Sequence, residues 1–254
     1  RDPSSIPCDG MDFHKAALGQ GKLNGRRVAY VGNIGGVIPL DQEVEKLVKE
    51  GAYAFEQLGC DVAEACFDAS DIQDIIMGTR GFGMVARYAD RYDKHKDLMT
   101  SQLINQVSAA LDLSVRDVVR SERLRTQYWH KVRGFMENFD YIVAPVVGAP
   151  PFRLDEPLPK QVGGVAVDRF QDVFLSTYVF SVTGLPMISV PCGLTKDGRP
   201  VGMQIIARRH REDQAIEAAS AYERLAPNLF VRPKMDLTEL KPVSEALTLS
   251  LIHI

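Results

Sequence analysis

Two neighbouring serines and a lysine, Ser4-Ser5 and Lys15, come closest in this sequence to a self-contained nucleophile. A neutral lysine can accept a proton from one serine through a second, freeing the first oxygen to attack a carbonyl. Such a relay also needs backbone N–H groups around the oxyanion, usually from glycine-rich turns. Here the flanks are Pro3 and Ile6-Pro7, which lack the donor and stiffen the segment, so it reads as an extended loop. Cys8, Cys60, Cys66 and Cys192 include no C-x-x-C pair. Each reads as a small buried hydrophobe in a reduced, cytoplasmic protein. His14, His95, His130 and His210 share no spacing and read as surface residues rather than metal ligands. Gly81 to Ala86 fits the loose dinucleotide fingerprint but falls inside a helical pattern, without the strand-to-helix turn that holds a phosphate. No G-x-S-x-G elbow, P-loop or H-E-x-x-H is present, and no cofactor or metal is implied.

Composition narrows the class. The 254 residues are 45% apolar and 25% charged, the balance of a globular domain rather than a disordered chain. Lys plus Arg number 30 against 33 Asp plus Glu, a net charge of −3, which argues against a nucleic acid partner. The cluster Arg208-Arg209-His210-Arg211 accordingly reads as a solvated loop ahead of a helix. No apolar run reaches the roughly 18 residues a membrane helix requires, so no membrane partner is expected.

The elements that would position any site follow from periodicity. Arg27 to Val31 and Asp61 to Cys66 read as strands around a helix over Asp41 to Gly59, with Asp41 as N-cap and Gly59 as stop. Strand, helix and strand at this spacing predict a parallel βαβ unit. Helices follow over Asp71 to His95, weakened by Gly78, Gly81 and Gly83, and over Ser101 to Leu111. A long helix over Ser114 to Phe139 would bury Val115, Val118, Val119, Val132, Phe135 and Met136. Tyr141 to Ala144 reads as a strand, Val146 to Arg169 as a long loop and Phe170 to Val182 as a helix. Met187 to Val190 and Val201 to Ala207 read as strands joined at Asp197-Gly198, ahead of a helix over Asp213 to Leu225. The fold class is α/β, a mixed β-sheet flanked by helices.

Thr183 to Gly193, Thr-Gly-Leu-Pro-Met-Ile-Ser-Val-Pro-Cys-Gly, resembles the G-L-P-A-I-S-V-P-C-G segment of amidase-signature enzymes. Lys196 to Ile206 is similar to that family's D-G-L-P-V-G-L-Q-I-I, and Ala219 to Glu223 fits the helix that follows. Phe139 to Pro145 resembles its F-D-x-I-L-T-P strand, and Arg1-Asp2-Pro3 its D-P-R-D-P stretch. The resemblance runs over roughly residues 1 to 235 in family order. It implies the C-terminal portion of that fold over 1–236, with 237–254 as a tail. Leu249 to Ile254 reads as a translated sequencing adapter.

The resemblance also implies hydrolysis of carboxamides by a serine nucleophile, a bridging serine with a cis peptide bond and a lysine base. In family order all three precede Arg1, so no catalytic residue is assigned here and the chain alone is expected to be inactive. What this part would contribute is pocket wall. Phe170, Phe174, Thr177 and Ser181 repeat at helical spacing. By resemblance the helix before Gly-Leu-Pro lines the acyl pocket, which makes Phe174, Thr177 and Ser181 the substrate-binding candidates. Ordinary core is the competing reading of that face. Ala144 and Val146 stand where the family carries threonine, so a polar contact from that loop is not expected. The implied partner is a small-molecule amide substrate, with a homodimer left open. Two alternatives stand beside this reading: the glutamine-hydrolysing subunit of a tRNA-dependent amidotransferase, and a non-catalytic α/β interaction module. The first would carry a tyrosine/arginine/glycine cluster that Met77 to Gly81 and Arg87 to Tyr92 match poorly.

Overall fold

The computed structural model describes residues 10–19, 22–153 and 158–230. Ser4, Ser5, Cys8 and the whole of 237–254 lie outside them. In chain order the elements are α1 (Phe13–Ala17), β1 (Arg27–Tyr30), α2 (Gln42–Tyr53), β2 (Asp61–Glu64), α3 (Ile72–His95), α4 (Ser101–Leu111), α5 (Val115–Met136) and β3 (Tyr141–Pro145). Then come β4 (Gln161–Val162), β5 (Val165–Ala166), α6 (Phe170–Val173), α7 (Leu175–Ser181), β6 (Met187–Leu194), β7 (Pro200–Ala207) and α8 (Glu212–Leu225).

Five strands form one sheet in the order β2-β1-β3-β7-β6. β1 runs parallel to β2 and β3, whereas β3–β7 and β7–β6 are antiparallel, giving the mixed sheet the sequence predicts. The central strands are apolar on both faces because helices cover both. Val28, Tyr30, Tyr141, Val143, Met203 and Ile205 face α2 and α8, where Phe55 stacks on Tyr222 at 5.6 Å. Ala29, Ile142, Ala144 and Ile206 alternate to the other face and meet α3, α5 and α7. Each large side chain buried this way contributes about 1.5–3 kcal/mol. Among the described residues no helix is long and apolar enough to cross a membrane.

Local signals explain the boundaries. The Asp41 carboxylate accepts from the N–H groups of Glu43 and Val44 and starts α2, and Gly59 takes the left-handed conformation that stops the short 3-10 turn after it. Ser114 and Asp117 close a capping box on α5. The glycines of α3 do not break it. A Cβ at Gly78 would lie 1.9 Å from Ser121 Oγ, and one at Gly81 2.3 Å from Leu113 Cδ1, so these positions let α5 and its leading loop approach closely.

The structure departs from the sequence expectations at four places. Val115 and Val119 are exposed, 80% and 45%, and the buried residues of α5 are Ser121, Tyr128, Val132 and Met136. At 100° per residue the two valines lie about 120° and 160° around the helix from Ser121, off the stripe that meets α3 and the sheet. The loop after β3 contains a hairpin, β4–β5. The helix expected over Phe170 to Val182 breaks at Phe174, whose φ of −106° and ψ of 17° separate α6 from α7. Cys66 is exposed, just past the end of the edge strand β2, while Cys60 and Cys192 are buried as expected.

Candidate functional site

The carboxyl end of β3 meets the start of α7, and a buried polar junction fixes the two together. Ser176 Oγ and Thr177 Oγ1 both donate to the Val146 carbonyl, at 2.6 and 2.7 Å. A carbonyl oxygen has two lone pairs, so this one is filled. Gln204, on β7 and 3% exposed, donates from Nε2 to the Pro145 carbonyl at 2.8 Å and the Ser176 carbonyl at 3.0 Å. Three elements are thus tied together through backbone carbonyl oxygens. The break at Phe174 starts a new helix whose first turn carries both hydroxyls to Val146.

Beside this junction lies a groove of about 430 Å³. Val146, Val147, Phe152, Phe174 and Val190 give it an apolar wall, and Ser189 on the edge strand β6 adds a hydroxyl. With Val146 contributing an alkyl side chain and its carbonyl already occupied, the β3 loop presents little polarity here. The Thr177 hydroxyl has committed its proton, so toward any other partner its oxygen can only accept. The groove therefore presents an apolar wall with the Ser189 hydroxyl at one side, and Thr177 is not among its lining residues.

The segment following α7 is shaped by its small residues. Thr183 Oγ1 donates to the Phe180 carbonyl and accepts from the Leu185 N–H, and Gly184 has φ of +69°. β6 bulges between Pro191 and Gly193, and a Cβ at Gly193 would stand 2.8 Å from Leu47 Cδ2 on α2. At the far end Gly198 takes φ of +84° in the β6–β7 turn, and Arg199 donates to the Pro151 carbonyl at 2.9 Å, fastening the hairpin to the groove loop.

The three substrate-side candidates do not share one cavity. Phe174 lines the groove, Thr177 is bonded at the junction, and Ser181 lines a separate cleft of about 770 Å³ between α3, α5 and the turn after α7. Ser181 Oγ donates to the Thr177 carbonyl one turn back. The helix break sets Phe174 apart from α7, whereas Thr177 and Ser181 stand one turn apart on that helix, Thr177 turned to Val146 and Ser181 at its far end beside the cleft. Sequence reasoning missed Gln204 and Ser176. The G-x-Q pattern at Gly202 to Gln204 placed the glutamine on a strand, but its alternation gave no sign that a β3 carbonyl lay opposite.

Other titratable groups are held in inert states. Burial pushes the Cys192 thiol up to about 12 and the Cys60 thiol up to about 11, away from thiolate chemistry. Lys131 donates to the carboxylates of Asp68 and Asp71, which raises its pKa and keeps it protonated, and Glu64 does the same for Lys49. Neither lysine is prepared to act as a base. Ser70, Ser114, Ser121, Ser176, Ser181 and Ser220 give their hydroxyl protons to carboxylates or backbone carbonyls, and none to a lysine.

Comparison with known proteins finds a family and relatives over most of the chain. The amidase family model matches residues 1–216. An acylamidase of Rhodococcus erythropolis is 29% identical over 89% of this chain and 47% of its own length. A glutamyl-tRNA(Gln) amidotransferase component of Acaryochloris marina is 25% identical over 92% of this chain and 52% of its own. A solved bacterial aryl acylamidase of the amidase-signature enzymes superposes with a TM-score of 0.77 and 28% identity, over 89% of this chain and 48% of that one. The 6-aminohexanoate cyclic dimer hydrolase shares the fold, with a TM-score of 0.72 at 21% identity, over 92% of this chain and 52% of that one. The chain spans about half the length of the curated relatives it matches.

Proposed function

The chain belongs to the amidase family, the amidase-signature enzymes, and on that premise we propose that it supplies substrate-binding wall to a carboxamide hydrolase. In this reading the C–N bond is broken through an acyl-enzyme, by a serine nucleophile, a bridging serine and a lysine base outside these 254 residues. The groove beside Phe174 takes the apolar acyl or aryl portion, and the Thr177 oxygen accepts from an N–H of the substrate or from water. Ser181 lies further along the path, at the larger cleft. The protein works in a reducing cytoplasm, where an exposed free thiol such as Cys66 persists.

The observation that carries the reading is the family match over residues 1–216, joined to an apolar groove at the start of α7. It is supported by the destinations of the bonded serine hydroxyls and by the protonated state of Lys131 and Lys49. The experiment is a pair of assays for release of 4-nitroaniline from 4-nitroacetanilide. The chain alone should release none. The chain joined to the N-terminal part of the Rhodococcus acylamidase should turn the substrate over, with Phe174→Ala raising KM more than it changes kcat. Turnover by the chain alone, abolished by replacing one of its serines, sinks the reading. Release of ammonia from glutamine by the joined protein, with no anilide cleavage, would favour the amidotransferase reading suggested by the Acaryochloris relative.

A further inference from the structure

The larger cleft is basic in a protein whose net charge is −3. Arg80, Arg87, Arg125 and Arg209 line it, and Glu122 is its one carboxylate, so four positive charges less one negative leave three. Arg125 uses Nε and Nη2 to hold Glu122 Oε2, at 3.1 and 2.7 Å, which accounts for that pair. The other three guanidinium groups meet no carboxylate among the described residues. Arg87 has no hydrogen-bonding partner there at all. Arg209 stacks over the Trp129 ring at 5.8 Å, and Arg80 lies over the Tyr178 ring at 5.6 Å with one bond to Gln106 Oε1. Arg80 Nε is buried without a partner, a state shared only by the Tyr141 hydroxyl among the described side chains. A buried donor without a partner and like charges around one cavity are both unfavourable, so the cleft favours a negatively charged occupant.

Its walls say what would complete it. Tyr88, Trp129 and Tyr178 offer flat faces beside the arginines. Guanidinium forks match planar oxyanions, and aromatic walls favour a ring. The volume, about 770 Å³, suits a small organic molecule. We propose that this cleft binds an aromatic oxyanion, a carboxylate or phosphate carried on a ring, with Arg87, Arg209 and Arg80 as its counter-charges. The proposal rests on the lining of this cleft, and its test requires no turnover.

Trp129 is the only tryptophan in the chain and lines the cleft, so its fluorescence reads binding directly. The full chain would be titrated with phenylacetate, phenyl phosphate, inorganic phosphate and the neutral isostere phenylacetamide. A saturable change is expected with phenylacetate or phenyl phosphate, weakened by added salt, and whichever binds tighter identifies the oxyanion. Arg87→Gln and Arg209→Gln, both at exposed positions, should each weaken binding about tenfold or more with circular dichroism unchanged. The proposal fails if phenylacetamide binds as well as phenylacetate, or if inorganic phosphate binds as well as phenyl phosphate. It also fails if neither aromatic anion saturates, or if both variants bind like the parent.

Discussion

The junction at the end of β3 and the cleft between α3 and α5 spend their polar groups in opposite ways. At the junction two hydroxyls and one amide reach three backbone carbonyls, and every bond closes within the protein. In the cleft three guanidinium groups stop short of any carboxylate among the described residues, and a buried Nε has no acceptor. The first pattern belongs to a scaffold, because unmet donors there would cost stability with nothing gained. The second belongs to a surface finished from outside. Substitutions should separate the two: at the junction they cost stability, and in the cleft they cost binding.

The largest effect is expected at Gln204. Gln204→Leu keeps most of the volume but withdraws a donor from two buried carbonyls, and should destabilise the fold by about 2–4 kcal/mol. Urea unfolding followed by circular dichroism measures this directly. A loss below about 0.5 kcal/mol would show that water satisfies those oxygens and that the junction is less closed than its geometry indicates.

A similar contrast runs along α3, between Gly78 and Gly83. Gly78→Ala puts a methyl 1.9 Å from Ser121 Oγ and should cost about 1–3 kcal/mol through overpacking. Gly83 has open space at its Cβ position, and Gly83→Ala should instead stabilise by about 0.5–1 kcal/mol through helix propensity. Equal effects at the two positions would remove close approach as the reason for the first glycine. In the sequence both read as breaks in a helical rhythm, because composition alone carries no record of what lies opposite.

That same limit governs what was legible elsewhere. The sheet strands, α2, α8 and the β6–β7 turn could be read from apolar runs, Asp41 as a cap, Gly59 as a stop and Asp197-Gly198. Each is a local signal that residues within one turn or one strand enforce. The stripe of α5 was misplaced because valines at Val115 and Val119 look like core by type, while the residues that turn inward include Ser121 and Tyr128. Tyr128 is buried with its hydroxyl on the Val179 carbonyl, a partner 51 residues away. The candidate site was legible only as a family region. Phe174, Thr177 and Ser181 were named, but the break at Phe174 and the bond to Val146 depend on long-range contacts. The cleft did leave a trace: Arg80 and Arg87, and Arg125 and Trp129, repeat at i, i+7 and i, i+4 on two neighbouring helices.

A smaller effect tests how the junction shares its load. Ser176 and Thr177 fill the two lone pairs of one carbonyl, so each hydroxyl partly covers for the other. Ser176→Ala and Thr177→Val should each cost about 1 kcal/mol, and the double variant should cost more than their sum, because only then is the Val146 oxygen without a side-chain donor. Strict additivity would show two independent bonds rather than one saturated acceptor.

The smallest expected change lies in the cleft, and its smallness is what matters. Arg87→Gln removes a charge that meets no carboxylate among the described residues and lies near other positive groups. Surface substitutions away from structural features usually stay within about 0.5 kcal/mol, and relief of repulsion pushes this one toward a slight gain. The urea midpoint of Arg87→Gln should therefore equal or exceed that of the parent, while its response to an aromatic anion falls. A clear loss of stability would mean that Arg87 has a structural partner in solution, and the division between a closed junction and an open cleft would no longer hold. An unchanged midpoint with weakened binding would place the charge where the geometry does, in service of something the chain itself does not provide.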